Sequence, residues 1–193
     1  MQPQLILAST SSYRRQLLDR LGLSYSVVAP AVDETRLPGE APAALTERLA
    51  RAKADAVAAL HPHAVVIGSD QVAERDGIAL GKPGDHVNAV AQLRAASGRS
   101  LLFHTTVCVR CIATGIALLH RDITEVVFRK LDDASIERYL RIEQPYDCAG
   151  SFKSEGLGIS LFESIRNDDP SALIGLPMIA VARMLREAGF SIP

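Results

Sequence analysis

The sequence has no tryptophan, 5% aromatic residues, three cysteines and a formal charge of -1. Each shortage excludes something. Three cysteines are an odd number and do not make a closed disulfide framework, so a reducing, cytoplasmic setting is expected. A near-neutral charge lacks the basic field on which nucleic-acid binders rely, so no nucleic-acid partner is expected. No run reaches the roughly eighteen uncharged apolar residues of a membrane-spanning helix, which argues against a membrane partner. The apolar run Leu5 to Ala8 is too brief for a secretory leader.

What remains is the composition of an ordinary globular chain, with 48% hydrophobic and 22% charged residues. A length of 193 residues suits one domain, residues 1–193, or two lobes sharing a core. Gln4 to Ser9 reads as a buried strand, and Leu17, Leu18 and Leu21 mark a helix that stops at Gly22. Ser24 to Ala29 suggests a second strand. Pro42 opens an amphipathic helix in which Leu45, Leu49, Ala52, Ala56 and Leu60 share a face. His63 to Ser69 is apolar enough for a central strand covered on both sides. Val87, Val90 and Leu93 mark a helix closed by Gly98, and Leu101–Ala113 with Ile116–Lys130 suggest a hairpin about Thr114-Gly115. Helices near Asp132–Ile142 and from about Pro177 to Gly189 follow, separated by a turn-rich stretch. The expectation is an α/β domain on a mixed sheet.

Several segments carry candidate chemistry. Ser9-Thr10-Ser11-Ser12-Tyr13-Arg14-Arg15 lies between a strand and a helix, where hydroxyls, free N–H groups and arginines suit a phosphate. A Ser-rich helix cap with two solvated arginines would explain the same residues, but Arg14 projects along the apolar side of its helix. Lys53 lies inside the apolar stripe of its own helix, either snorkelling or emerging into an anionic cleft. Asp70 closes the run Val65-Val66-Ile67-Gly68-Ser69, and a carboxylate at a buried strand end needs a partner, a hydrogen bond or a metal. Gly81-Lys82-Pro83 holds a lysine between turn-formers. The glycines of Ala149–Gly158, around Lys153 and Glu155, suggest a backbone that approaches something closely. Cys108 and Cys111 are three apart in a strand, point to opposite faces, and with Cys148 read as packing residues. Together Arg14, Lys53, Lys82 and Lys153 with Asp33, Glu34, Asp70 and Glu155 describe a nucleotide site with carboxylates for Mg²⁺ or Mn²⁺.

These residues resemble the Maf family of nucleotide pyrophosphatases. The matching runs are Leu-Ile-Leu-Ala-Ser-Thr-Ser at 5–11 with Arg14-Arg15, Val-Asp-Glu at 32–34, Ala50 with Lys53, Ile-Gly-Ser-Asp-Gln at 67–71, Gly-Lys-Pro at 81–83, the glycine-rich run at 149–158 and Gly-Leu-Pro at 175–177. The resemblance implies a Maf/ITPase-like α/β fold, an elongated curved mixed sheet flanked by helices with two lobes around a deep cleft, in a homodimer. It runs closest to the branch acting on 7-methyl-GTP. The branch acting on dTTP and UTP has Thr after the catalytic Asp and a Gln-containing glycine-rich motif, where this chain has Gln71 and Phe152-Lys153-Ser154-Glu155. By that resemblance Tyr13, Gln71 and Glu155 set substrate choice.

The expected reaction is hydrolysis of a small-molecule nucleoside triphosphate to monophosphate and pyrophosphate. Asp70 would accept the proton of the attacking water, helped by a divalent cation shared with Glu34 and Asp33. Arg14, Arg15, Lys53 and Lys82 would hold the triphosphate, with Ser9, Ser11 and Lys153 donating to phosphate oxygens. The competing readings are a nucleotide-binding regulatory module without turnover, and a pyrophosphatase for dTTP, UTP or another modified nucleotide.

Overall fold

The computed structural model describes residues 3–193. It is a mixed seven-stranded sheet flanked by five helices. The strands are β1 (Leu5–Ala8), β2 (Ser26–Val27), β3 (Val65–Arg75), β4 (Ile78–Leu80), β5 (Ser100–Cys111), β6 (Ile116–Phe128) and β7 (Phe162–Arg166). The helices are α1 (Ser12–Asp19), α2 (Pro42–Leu60), α3 (His86–Ala96), α4 (Asp133–Glu143) and α5 (Met178–Glu187). The strand order is β2-β1-β3-β5-β6-β7, with β4 also pairing β3. β1 runs parallel to β2 and β3, and the other pairings are antiparallel.

Two apolar cores are strung along one face of β5. Val107 and Val109 join Leu5 and Leu7 of β1, α1 and α5 at one end. Leu101 and Phe103 join β6, α3 and α4 at the other. Between them stands Thr105, fully buried and polar, whose hydroxyl donates to the Ala172 carbonyl at 3.0 Å. The scarce aromatics are concentrated in the second core: Phe103, Phe128, Phe152 and Phe162 pack edge to face, with centroids 4.7–5.7 Å apart.

Helix α2 covers the opposite face of the sheet. Its alanines at 50 and 54 are wholly buried, and a Cβ placed on Gly68 would come within 2.5 Å of the Ala50 carbonyl oxygen. Glycine is needed there so that helix and strand can approach closely.

The structure corrects three of the secondary-structure expectations. β3 does not end at Ser69 but continues to Arg75, so Asp70 is a mid-strand residue. Polar Asp70, Gln71, Glu74 and Arg75 hid the continuation, along which β5 pairs as far as Glu74. Beyond Asp76 and Gly77, both at positive φ, the chain turns back as the short β4, for which Asp-Gly was the available signal. Val87 is 76% exposed, and α3 instead buries Ala89, Val90, Leu93 and Ala96. Of Ser24–Ala29 only Ser26 and Val27 form a strand, both exposed at the sheet edge.

Candidate active site

The register of β3 makes the site. On one edge it pairs with β1 as far as Gly68, and with β4 from Ala73 onward. Ser69, Asp70, Gln71 and Val72 have no strand neighbour on that edge among the described residues. A cleft of about 670 Å³ opens against this gap, with Ser9, Arg14, Lys53, Asp70, Lys82 and Lys153 in its walls. The carboxyl end of β1 and the start of α1 border it, the usual place for a ligand in a sheet with parallel strands.

Asp70 is 6% exposed. One oxygen, Oδ1, accepts from Lys53 Nζ at 2.7 Å, and the same ammonium is 2.9 Å from Glu34 Oε1. Lys53 is therefore neither snorkelling nor free: it is a buried cation matched by two carboxylates. Asp70 Oδ2 has no partner among the described residues and is not sealed from solvent. Burial pushes the Asp70 carboxyl above the usual carboxylate range, opposed by the charges of Lys53 and Arg14 and assisted by Glu34. A carboxylate raised in this way is a stronger base than a solvated one.

Arg14 is oriented from below. Its Nε donates to the Gly175 carbonyl at 2.9 Å and one terminal amino group to Ser9 Oγ at 3.4 Å. Burial lowers its pKa, while Asp70 and Glu34 raise it. Ser11 caps α1 by accepting from the Arg14 N–H, and Ser9 Oγ accepts from the Ser11 N–H. The two serines thus build the turn that faces the cleft.

Two predicted residues are not brought to the site. Arg15 is exposed and faces the shallow surface around Asp19 and Tyr25, because one residue further along a helix is about 100° round from Arg14. Asp33 is exposed, does not line the cleft, and spends Oδ1 on the Thr35 N–H, a local Asx turn that lowers its pKa. Lys82 is exposed at the rim, and Glu155 is exposed and lines the cleft. Lys153 Nζ is 3.3 Å from the Glu143 carbonyl oxygen and 3.8 Å from its carboxylate. The glycines around it serve the loop itself: a Cβ on Gly156 would strike the Glu143 carboxylate, and one on Gly158 the Lys153 backbone. The close approach expected from those glycines is to the protein's own chain.

The residues proposed to govern specificity are held by the fold. Tyr13 lines the cleft, its hydroxyl 3.3 Å from Asp147 Oδ2 and 3.7 Å from Cys148 Sγ. Gln71 donates from Nε2 to Thr105 Oγ1, Ala172 O and Leu173 O, within 2.9–3.0 Å. Its amide nitrogen is committed, and only Oε1 is left for a ligand. The 169–177 segment that supplies these carbonyls was not read from the sequence beyond Gly-Leu-Pro. Buried Asp169 receives the N–H and hydroxyl of Ser171 and the N–H of Ile179, which fixes the segment to the start of α5. Asp-Pro-Ser before a helix was the available signal.

Among the described residues, no group of three or more His, Cys, Asp and Glu is arranged as a metal site. Asp70 and Glu34 share the Lys53 ammonium, which occupies the point between them, and each keeps a second carboxylate oxygen, a hard donor, at the cleft. That set fits a Mg²⁺-type ion, which takes one or two carboxylates and fills its shell with phosphate oxygens and water. No helix is long and apolar enough to cross a membrane.

The chain is similar to known proteins along its whole length. A protein from Xanthomonas oryzae pv. oryzae is 60% identical over 193 residues, covering 100% of both chains. One from Albidiferax ferrireducens is 58% identical over 192 residues, covering 100% of this chain and 96% of the other. Each carries the name 7-methyl-GTP pyrophosphatase. Among solved structures, the Staphylococcus aureus Ham1 protein aligns at TM-score 0.46 and 15% identity, over 65% of this chain and 71% of that one. The family model of Maf-like proteins matches residues 4–188, and with relatives this similar along their whole length the chain belongs to the Maf family.

Proposed function

We propose that this protein hydrolyses 7-methyl-GTP to 7-methyl-GMP and pyrophosphate in the cleft beside β3. The observation that carries the reading is Asp70: buried in the sheet gap, raised in pKa, and engaged by Lys53 on only one of its two oxygens. Water would attack the α-phosphorus while Asp70 Oδ2 accepts its proton. The bond from the α-phosphorus to the bridging oxygen breaks, and its electron pair leaves with pyrophosphate. Arg14 and Lys82 offset charge on the phosphates, and Ser9 and Ser11 shape the turn against which they lie. Lys53 keeps Asp70 and Glu34 facing one another. A divalent cation, Mg²⁺ or Mn²⁺, would be held by Asp70 and Glu34 and would supply further charge neutralisation when bound.

The choice of base follows from the rim. Methylation at N7 makes guanine cationic, which favours stacking on an aromatic face, and Tyr13 offers one at the cleft. Glu155 offers a carboxylate to the N1 and N2 edge of guanine, an edge that uracil and thymine lack. The full-length relatives named for 7-methyl-GTP support the same substrate. Homodimer formation and a cytoplasmic location belong to this proposal. The test is a panel of 7-methyl-GTP, GTP, dTTP and UTP with and without Mn²⁺, scored for pyrophosphate. Metal-dependent release with a clear preference in kcat/KM for the methylated base is expected. Release of orthophosphate, or equal kcat/KM for 7-methyl-GTP and UTP, would refute it; tight binding without turnover would favour a regulatory module.

A further inference from the structure

The sequence supplies four cations for a polyphosphate, and the structure leaves two of them uncommitted. Lys53 is matched by the carboxylates of Asp70 and Glu34, and Lys153 sits at Glu143. Arg14 and Lys82 make no ion pair among the described residues. A triphosphate brings more negative charge than those two offset, and the leaving pyrophosphate carries most of it.

Arg36 supplies a further cation. It is exposed, lines the same cleft, and lies two residues beyond Glu34. Its Nε donates to the Glu40 carbonyl at 2.8 Å, which sets the guanidinium plane. The nearby Glu40 carboxylate is already taken: Arg48 donates to both oxygens at 2.7 and 2.8 Å, and the Leu37 N–H also donates to it. The two terminal amino groups of Arg36 consequently have no acceptor among the described residues. The segment presenting them is pinned, with Arg48 donating to Thr35 O and Thr35 N–H donating to Asp33. A forked, uncommitted donor pair on a tethered segment is the geometry that phosphate oxygens recognise.

We propose that Arg36 is a phosphate-binding residue of this cleft and holds the departing pyrophosphate. The assignment to that end follows from the two faces of the sheet. Tyr13 belongs to α1 on one face, whereas residues 34–36 are tied through Lys53 and Arg48 to α2 on the other. With the base at Tyr13, the far end of the phosphate chain reaches the wall carrying Arg36.

The inference rests on the proposed function, and the two can fail separately. Arg36→Gln and Arg36→Lys are compared with the unmutated protein by calorimetric titration with inorganic pyrophosphate, which needs no turnover. Inhibition of turnover by pyrophosphate and by nucleoside monophosphate is then measured. Arg36→Gln is expected to weaken pyrophosphate binding about tenfold, the size of one lost charge-assisted contact, and to raise KM for the triphosphate. Inhibition by the monophosphate stays unchanged, and Arg36→Lys restores part of the loss. Superimposable melting curves show that the fold is intact. Equal pyrophosphate affinity in Arg36→Gln and the unmutated protein overturns the inference, as does a loss confined to the monophosphate. Failure of the unmutated protein to release pyrophosphate from any nucleotide refutes the proposed function instead.

Discussion

Gly68→Ala tests how the Lys53–Asp70 pair is placed. A Cβ at position 68 would stand 2.5 Å from Ala50 O, 2.6 Å from Ala54 N and 2.9 Å from Ala54 Cβ. Two of these atoms are backbone, so no rotamer change relieves the contact. Ordinary van der Waals separation requires α2 to retreat by about 1 Å. Overpacking of this kind costs about 1–3 kcal/mol. Lys53 lies between Ala50 and Ala54 in the sequence of that helix, so the retreat also stretches its 2.7 Å bond to Asp70 beyond good hydrogen-bond range. Misplacement by about 1 Å lowers turnover on the order of 10²-fold. Denaturant titration gives the first effect and pyrophosphate release the second. Adding Ala54→Gly removes only the Cβ contact, so the double variant should remain impaired. An unaltered denaturation midpoint with normal turnover in Gly68→Ala would refute the close-approach argument.

Other outcomes are expected from the same geometry. Asp70→Asn should lower pyrophosphate release by about 10²–10⁴-fold while the circular-dichroism spectrum is preserved; near-normal turnover would leave Asp70 a structural residue. Because burial raises the Asp70 pKa, its native state holds a proton more tightly than the unfolded state. Its ionisation therefore subtracts stability as pH rises from the ordinary carboxylate value through the raised one, and Asp70→Asn should abolish that decline in a pH series of unfolding curves. With Asp70 as the proton acceptor, the acid limb of kcat/KM is expected above the ordinary carboxylate range. Lys53→Met, which deletes the charge opposing burial, should move the limb to still higher pH; a limb that moved down would contradict the pair. Gln71→Ala removes the amide that bridges Thr105 Oγ1 to the buried Ala172 and Leu173 carbonyls and should cost about 1–3 kcal/mol in chemical denaturation. Arg15→Ala, on the far face of α1, should leave kcat and KM unchanged.

Local patterning made much of this structure legible. Pro42 at a helix start, the long β5–β6 hairpin about Thr114-Gly115, and Leu17 with Leu18 on the core face of α1 all follow from period and turn chemistry. So does the separation of Cys108 from Cys111, which pack in different clusters. Arg14 and Lys53 were conspicuous because each interrupts an apolar stripe, and both line the cleft. The continuation of β3 was not legible, because Asp70 and Gln71 are polar for reasons of the site while β5 supplies their backbone pairing. The same holds for Arg36 and the 169–177 segment: whether Arg36 is free depends on Arg48 already holding the Glu40 carboxylate, and the 169–177 carbonyls meet Gln71 about a hundred residues away, and sequence spacing carries no record of either. Asp33 misled in the opposite direction, being drawn into a local turn two residues away.

The interruption between β1 and β4 also bears on how the chain avoids its own kind. An unpaired strand edge invites another strand to add to the sheet, with aggregation as the penalty. Here the unpaired stretch is four residues, Ser69 to Val72, about 13 Å long at the usual rise. Both ends are blocked in line by strands already in place, and a charged pair, Asp70 with Lys53, stands within it. A foreign strand would have to bend in, form a few bonds and bend out again. A small anion needs only that short length. The protein therefore keeps a short strand edge with no neighbouring strand at the middle of its sheet without offering a template for polymer growth, a combination that a gap of eight or ten residues would not preserve.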